Sequence, residues 1–188
     1  MNKKWIVGLV FLGLAGIVTV GSIGAYNNLV SLNESINGSW AQVENVLQRR
    51  YDLIPNLVNT VKGYAKQEKN VLEEVTRLRS QWGAAKTTDE KIQASSGLEG
   101  ALSRLLIVSE NYPQLKSNEN FMRLQDELSG TENRIAVERM RYNDTVRRYN
   151  VAVQRFPTSL VARFGGFQKR DVYFQAEKEA EKAPKVEF

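Results

Sequence analysis

The sequence contains no histidine, no cysteine and only four prolines. Without histidine the commonest general base and the commonest zinc ligand are missing, and so are the Ser-His-Asp triad and the Glu-x-x-His di-iron motif. A phospho-accepting histidine is excluded on the same ground. Without cysteine there is no disulfide, no thiol nucleophile and no site for lipoprotein processing. Carboxylates such as Glu73, Glu74, Glu132 and Glu138 have no histidine company, and they read as surface groups rather than metal ligands. Charge of one sign is also scarce: 26 Lys and Arg stand against 21 Asp and Glu, a net +5 with both signs interspersed. A nucleic-acid binder concentrates its basic charge, which this chain does not. The expectation is a non-enzymatic protein with no cofactor, no metal site and no nucleic-acid partner.

What is present begins with Trp5 to Ala25. This run has no charged side chain and only two polar ones, Thr19 and Ser22. As a helix rising about 1.5 Å per residue it covers roughly 30 Å, the thickness of a bilayer's hydrocarbon core. Met1-Asn2-Lys3-Lys4 gives it the basic start of a secretory signal. The run exceeds the roughly 7–15 residues of a signal core, however. Cleavage after Ala25 would place Ile23 at the site's other key position, and cleavage after Gly24, with Ser22 two residues before it, is a poor alternative. The run therefore reads as a retained transmembrane helix. Lys3 and Lys4 precede it, and no Lys or Arg occurs from Tyr26 to Gln48. The positive-inside rule then keeps the N-terminus in the cytoplasm and sends the rest to the extracytoplasmic side of the membrane. Gly13, Gly16 and Gly24 share about one quadrant of this helix, and Gly21 opens a small-xxx-small pair with Ala25. Such a face suits close helix packing and self-association in lipid, although glycine is also simply common in membrane helices.

Beyond the anchor, apolar residues recur in steps of three and four from Leu29 to Trp82, with skips at Arg50 and Glu68. That is the seam of helices packing side by side. Pro55 interrupts it, through either a turn at Asp52-Leu53-Ile54 with a restart or a kink in one long helix; the turn is slightly favoured because it builds a compact bundle. The second segment carries Val71, Val75, Leu78 and Trp82 and ends near Gly83. Thr87-Thr88-Asp89-Glu90 reads as a capping box opening a third helix, which Pro113 stops near Tyr112. Gly97 and Gly100 inside it call for a close neighbour or a distortion. A fourth helix starts near Ser117 or Asn118 and runs along Phe121, Leu128, Ile135, Tyr142, Tyr149 and Phe156 to Pro157. Within it Arg141-Tyr142-Asn143 repeats seven residues on as Arg148-Tyr149-Asn150. Thr158 to Phe164 suits a short amphipathic helix ended by Gly165-Gly166, followed by an aromatic tail. From Ala176 the Glu/Lys/Ala/Pro composition suits disorder. The fold class is thus all-α: a single N-terminal transmembrane helix followed by an antiparallel bundle of three to four long helices. The segments are a cytoplasmic N-terminus 1–4, a span 5–25, a bundle 26–157, a short helix and aromatic tail 158–175, and a disordered C-terminus 176–188.

Several of these stretches resemble the LemA family of bacterial membrane-anchored proteins. They are Trp40 to Asn45, Arg49-Arg50-Tyr51-Asp52-Leu53-Ile54-Pro55-Asn56-Leu57-Val58, Val61 to Ala65, Glu110 to Lys116, Thr131 to Val137 and on into Arg141-Tyr142-Asn143, and Tyr149-Asn150 through Phe156-Pro157. The resemblance covers nearly the whole chain. It implies an N-terminal span, an antiparallel helical bundle and no catalytic activity. It also implies an association with the bacterial envelope and, in some members, with a membrane-embedded zinc metalloprotease.

Three groups of residues are candidates for function. The glycines of the span (Gly13, Gly16, Gly21, Gly24) would pack transmembrane helices. Arg49, Arg50, Tyr51, Asp52 and Asn56 form a candidate docking corner for a partner protein. Arg50 lies on the apolar seam, where an arginine needs a carboxylate partner, and anion binding is a further option. Arg141, Arg147 and Arg148 form a basic face that could meet lipid phosphates or a partner, or could be a solvated face beside core tyrosines. The functional expectation is a homo-oligomeric scaffold or adaptor for other membrane proteins. The alternative is a lipid-binding structural element of the envelope.

Overall fold

The apolar run and the first bundle helix are one helix. In the computed structural model, which describes residues 3–175, helix α1 spans Lys3–Tyr64. It is followed by α2 (Lys69–Ala84), α3 (Thr88–Ser109), α4 (Pro113–Lys116), α5 (Glu119–Gln154) and α6 (Thr158–Phe164). No strand occurs among the described residues. The disorder expected from Ala176 onward lies outside them. The N-terminal part of α1 holds a stretch with mean hydropathy 2.4 and is the one described helix long and apolar enough to cross a membrane. Its side chains are exposed all round, Phe11 and Ile17 among them. At Leu29, which is fully buried, the same helix changes to a one-sided apolar stripe.

The favoured turn at Pro55 does not occur: α1 continues through it. A proline inside a helix cannot donate to the carbonyl four residues back, here that of Tyr51. Arg79 on α2 fills that gap, its Nε donating to the Tyr51 carbonyl at 3.1 Å. The seam stays in phase on both sides, so Leu47, Ile54, Leu57 and Val61 all remain buried.

The capping box at Thr87 forms as expected: the Thr87 hydroxyl accepts from the Glu90 amide, and the Glu90 carboxylate accepts from the Thr87 amide. α2 and α3 run antiparallel, with Arg104 paired to Glu74 and Gly97 lying against Leu78. A Cβ on Gly97 would sit 3.1 Å from a Leu78 methyl, which accounts for the glycine, whereas a Cβ on Gly100 would meet nothing within 4 Å. Two seam assignments shift. Leu72 rather than Val71 is buried, and Phe156 is exposed. α3 ends at Ser109, and Pro113 opens the short α4 at the position where its missing N–H costs nothing. Asn118 caps α5 by accepting from the Phe121 amide.

The chain forms two compact units. Among the described residues, one contains 3–40 with Arg141–Asp171, and the other Ala41–Met140 with 172–175. In the first, Leu29 and Ile36 of α1, Val146 and Tyr149 of α5 and Ala162 of α6 are buried. In the second, the buried set comes from α1, α2, α3, α4 and α5, with Leu57, Val75, Leu102, Leu115 and Phe121 among them.

Candidate functional site

The second unit is built around a charged seam residue. Arg50, only 9% exposed, is turned inward by its seam position and pairs with Glu132 of α5. Glu132 in turn hydrogen-bonds Glu99 of α3. Glu99 accepts from both terminal nitrogens of Arg139, each at 3.0 Å. The result is a row, Arg50–Glu132–Glu99–Arg139, with the two carboxyl groups in the middle and an arginine at each end, that joins three helices. Two neighbouring carboxyl groups cannot both ionise easily. Burial pushes the Glu132 carboxyl up; Arg50 opposes this, the hydrogen bond to Glu99 and its charge add to it, and the net direction is upward. Burial alone would raise Glu99 too, but the hydrogen bond from Glu132 and the Arg139 guanidinium outweigh it and hold that carboxyl below the usual range.

Tyr51 lies beside this row, buried, with its ring 4.0 Å from that of Trp82 at 31°. Burial pushes its phenol up despite Arg50 and Arg139, so the group stays neutral. Lys91 sits 5.4 Å over the Trp82 ring and pairs with Glu44. Among the described residues, Nε of Arg50, Nε of Arg139 and the indole N–H of Trp82 are buried without an acceptor. Such a row fixes helix register and can take up or release a proton. Among the described residues, no group of three or more acidic side chains is placed to hold a metal.

The five residues of the expected docking corner divide. Arg50 and Tyr51 point into the core, while Arg49, Asp52 and Asn56 are exposed and recur on one side of α1. Asp52 accepts from the Gln48 side-chain Nε2 at 2.8 Å. Asn56 borders an open hollow of about 400 Å³ shared with Asn120 and Arg123 of α5. Of the basic face, Arg147 and Arg148 both engage Asp144, and these contacts, that from Arg147 first, hold its carboxyl below the usual range. Arg141 is exposed one turn earlier. A Cβ on Gly13, Gly16, Gly21 or Gly24 would meet nothing within 4 Å, so this face is open in a single copy.

Some working residues escaped the sequence pattern. Arg79, Glu99, Glu132 and Arg139 lie beside seam positions and look like surface charges. In the first unit, the second Arg-Tyr-Asn triplet acts as a clamp. Tyr149 donates through its hydroxyl to the Gln168 carbonyl at 3.0 Å. Asn150 donates to the Arg170 carbonyl at 2.7 Å and accepts from the Arg170 amide at 2.9 Å. The seven-residue repeat was the available signal. In the first triplet Tyr142 instead packs edge-on against Trp40 at 5.6 Å.

Residues 39–188 match the model of the LemA family. Magnetosome proteins MamQ 1 and MamQ 2 of Paramagnetospirillum magneticum are each 28% identical to this chain over 176 residues, which covers 80% of the chain and 64% of the relative. The chain therefore spans just under two thirds of the length of these relatives. Protein LemA of Metamycoplasma hominis is 25% identical over 175 residues, covering 91% of the chain and 76% of the relative.

Proposed function

The chain belongs to the LemA family, which is membrane-associated, and from that premise we propose that it is a non-enzymatic scaffold or adaptor that oligomerises and docks other membrane proteins. The observation that carries this reading is the unbroken α1. The stretch able to cross the membrane and the helix that displays Arg49, Asp52 and Asn56 are the same element. A membrane anchor confines encounters to two dimensions, and a stiff helix presents an extended face to whatever it meets there. The charge asymmetry around the span supports an extracytoplasmic domain on the inner membrane. The glycine face of the span is available for a second copy or for a partner's membrane helix. A membrane zinc metalloprotease is the sharpest form of such a partner.

The test uses detergent-solubilised full-length protein. Native mass spectrometry should show oligomers, and photocrosslinkers at Arg49, Asp52 and Asn56 should capture the same partner from membranes. Arg49→Glu combined with Asn56→Glu should reduce that capture without changing helicity. A protein that stays monomeric and crosslinks to nothing would reject the reading. Protease protection on spheroplasts reads the sidedness.

A further inference from the structure

Helix α6 is amphipathic the wrong way round for water. Its Ala162 is 1% exposed and faces the protein, while Leu160 and Phe164, one turn apart on the opposite side, are 51% and 90% exposed. Phe156, just before it, is exposed as well. A helix on a water-facing surface shows the reverse order. Contiguous apolar exposure of this kind marks a surface that meets something other than water.

Its place in the fold says what that is. α6 borders a groove of about 670 Å³ whose other wall is α1, with Val18, Ile23 and Tyr26 facing Leu160, Val161 and Phe164. Val18 and Ile23 belong to the stretch whose all-round apolar surface suits a bilayer. Two hydroxyls border the groove, but Thr19 donates to the Ala15 carbonyl and Ser22 to the Val18 carbonyl, both at 2.8 Å, so neither needs an outside partner. The segment after α6 is held against the same helix, Phe167 packing edge-on against Tyr26 at 5.4 Å and Arg170 donating to Asn33 at 3.2 Å. Gly165 and Gly166 make this return possible, since a Cβ on Gly165 would fall 2.9 Å from Phe167 and Gly166 has φ +74°.

We propose that α6 lies in the bilayer's interfacial zone, in the leaflet nearest the bundle, and that its groove against α1 takes a lipid acyl chain. Leu160 and Phe164 face the hydrocarbon. Arg155 and Arg163, both exposed at its two ends, reach up to the lipid phosphates. This assignment rests on residues 18–26 and 155–170 alone and stands or falls independently of the scaffold reading.

Because the chain has no cysteine, single cysteines can be spin-labelled in the full-length protein. Leu160→Cys and Phe164→Cys are compared with Arg123→Cys, an exposed position on α5, in bilayers of phosphatidylcholine and phosphatidylglycerol. At 160 and 164, oxygen should collide several-fold more often with the label, and a water-soluble nickel chelate several-fold less often, than at 123. Lipids brominated along the acyl chain should quench a fluorophore at 164 and not one at 123. Both results should persist when labelled protein is diluted with unlabelled protein and with lipid. Nickel access at 164 equal to that at 123 overturns the proposal. So does protection that vanishes on dilution with lipid, which would make a second copy the occupant. Unchanged helicity and melting of the labelled proteins tie either result to the native fold.

Discussion

Arg79 supplies to the Tyr51 carbonyl the donor that Pro55 lacks. An unsatisfied buried carbonyl costs roughly 1–3 kcal/mol, so Arg79→Met should destabilise the protein by that amount in urea unfolding. In a Pro55→Ala background the helix regains its own amide donor, and the Arg79 substitution should cost clearly less. Equal losses in both backgrounds would mean that Arg79 acts by packing or charge instead. The Glu132–Glu99 pair makes a second prediction at this scale. A carboxyl raised in the fold, as Glu132 is, contributes stability that is complete below the ordinary carboxylate value and is lost as pH climbs through the raised one. Glu99 is lowered, so its contribution is complete above the ordinary value and is lost as pH falls through the lowered one. The pair therefore contributes most near the ordinary carboxylate value, and less on either side. Glu132→Gln keeps an acceptor for Arg50 and a donor for Glu99 but no longer ionises. Its melting temperature relative to the parent should improve as pH is raised from that point, while the acid-side loss remains. Parallel pH profiles of melting for the two proteins would refute the upward shift at Glu132.

At the scale of the element, α3 carries a matched pair of glycines. Gly100→Ala should stabilise by up to about 1 kcal/mol, the difference in helix propensity, because its methyl enters open space. Gly97→Ala should gain less or lose, because its methyl presses on Leu78, which is nearly buried. Chemical denaturation of both variants gives the order directly. The strap after α6 depends on Asn150, and Asn150→Ala should speed amide exchange at Arg170 and cost roughly 1–3 kcal/mol, with little effect on α2 and α3. Helices with local signals could be read from the chain: Thr87 with Glu90 fixed the start of α3, and Thr158 to Phe164 was placed to the residue. Pro55 misled because its penalty is local while its remedy, Arg79, lies 24 residues on in another helix. The exposed face of α6 was illegible for a related reason. A seven-residue stretch has too little periodicity to say which side is inward, and only its position against α1 decides it.

At the scale of the molecule, the candidate site was legible in outline. An arginine on an apolar seam had to meet a carboxylate, and Arg50 meets Glu132. That the carboxylate would itself lean on Glu99, and Glu99 on Arg139, depends on three helices meeting, which no spacing along one helix encodes. The corner Arg49 to Asn56 likewise separated into inward and outward residues only when α1 proved continuous.

The first unit is assembled from the two distant parts of the chain, α1 at its start and α5 with α6 near its end. During synthesis Leu29 and Ile36 emerge long before Val146 and Tyr149. At about 5–20 residues per second, that separation leaves the greasy stripe of α1 uncovered for roughly 5–20 s. The nascent chain must be shielded over that interval, by a chaperone, by the lipid surface or by a neighbouring copy. Ribosome-bound chains stalled before α5 should accordingly be the most readily captured and the most readily degraded.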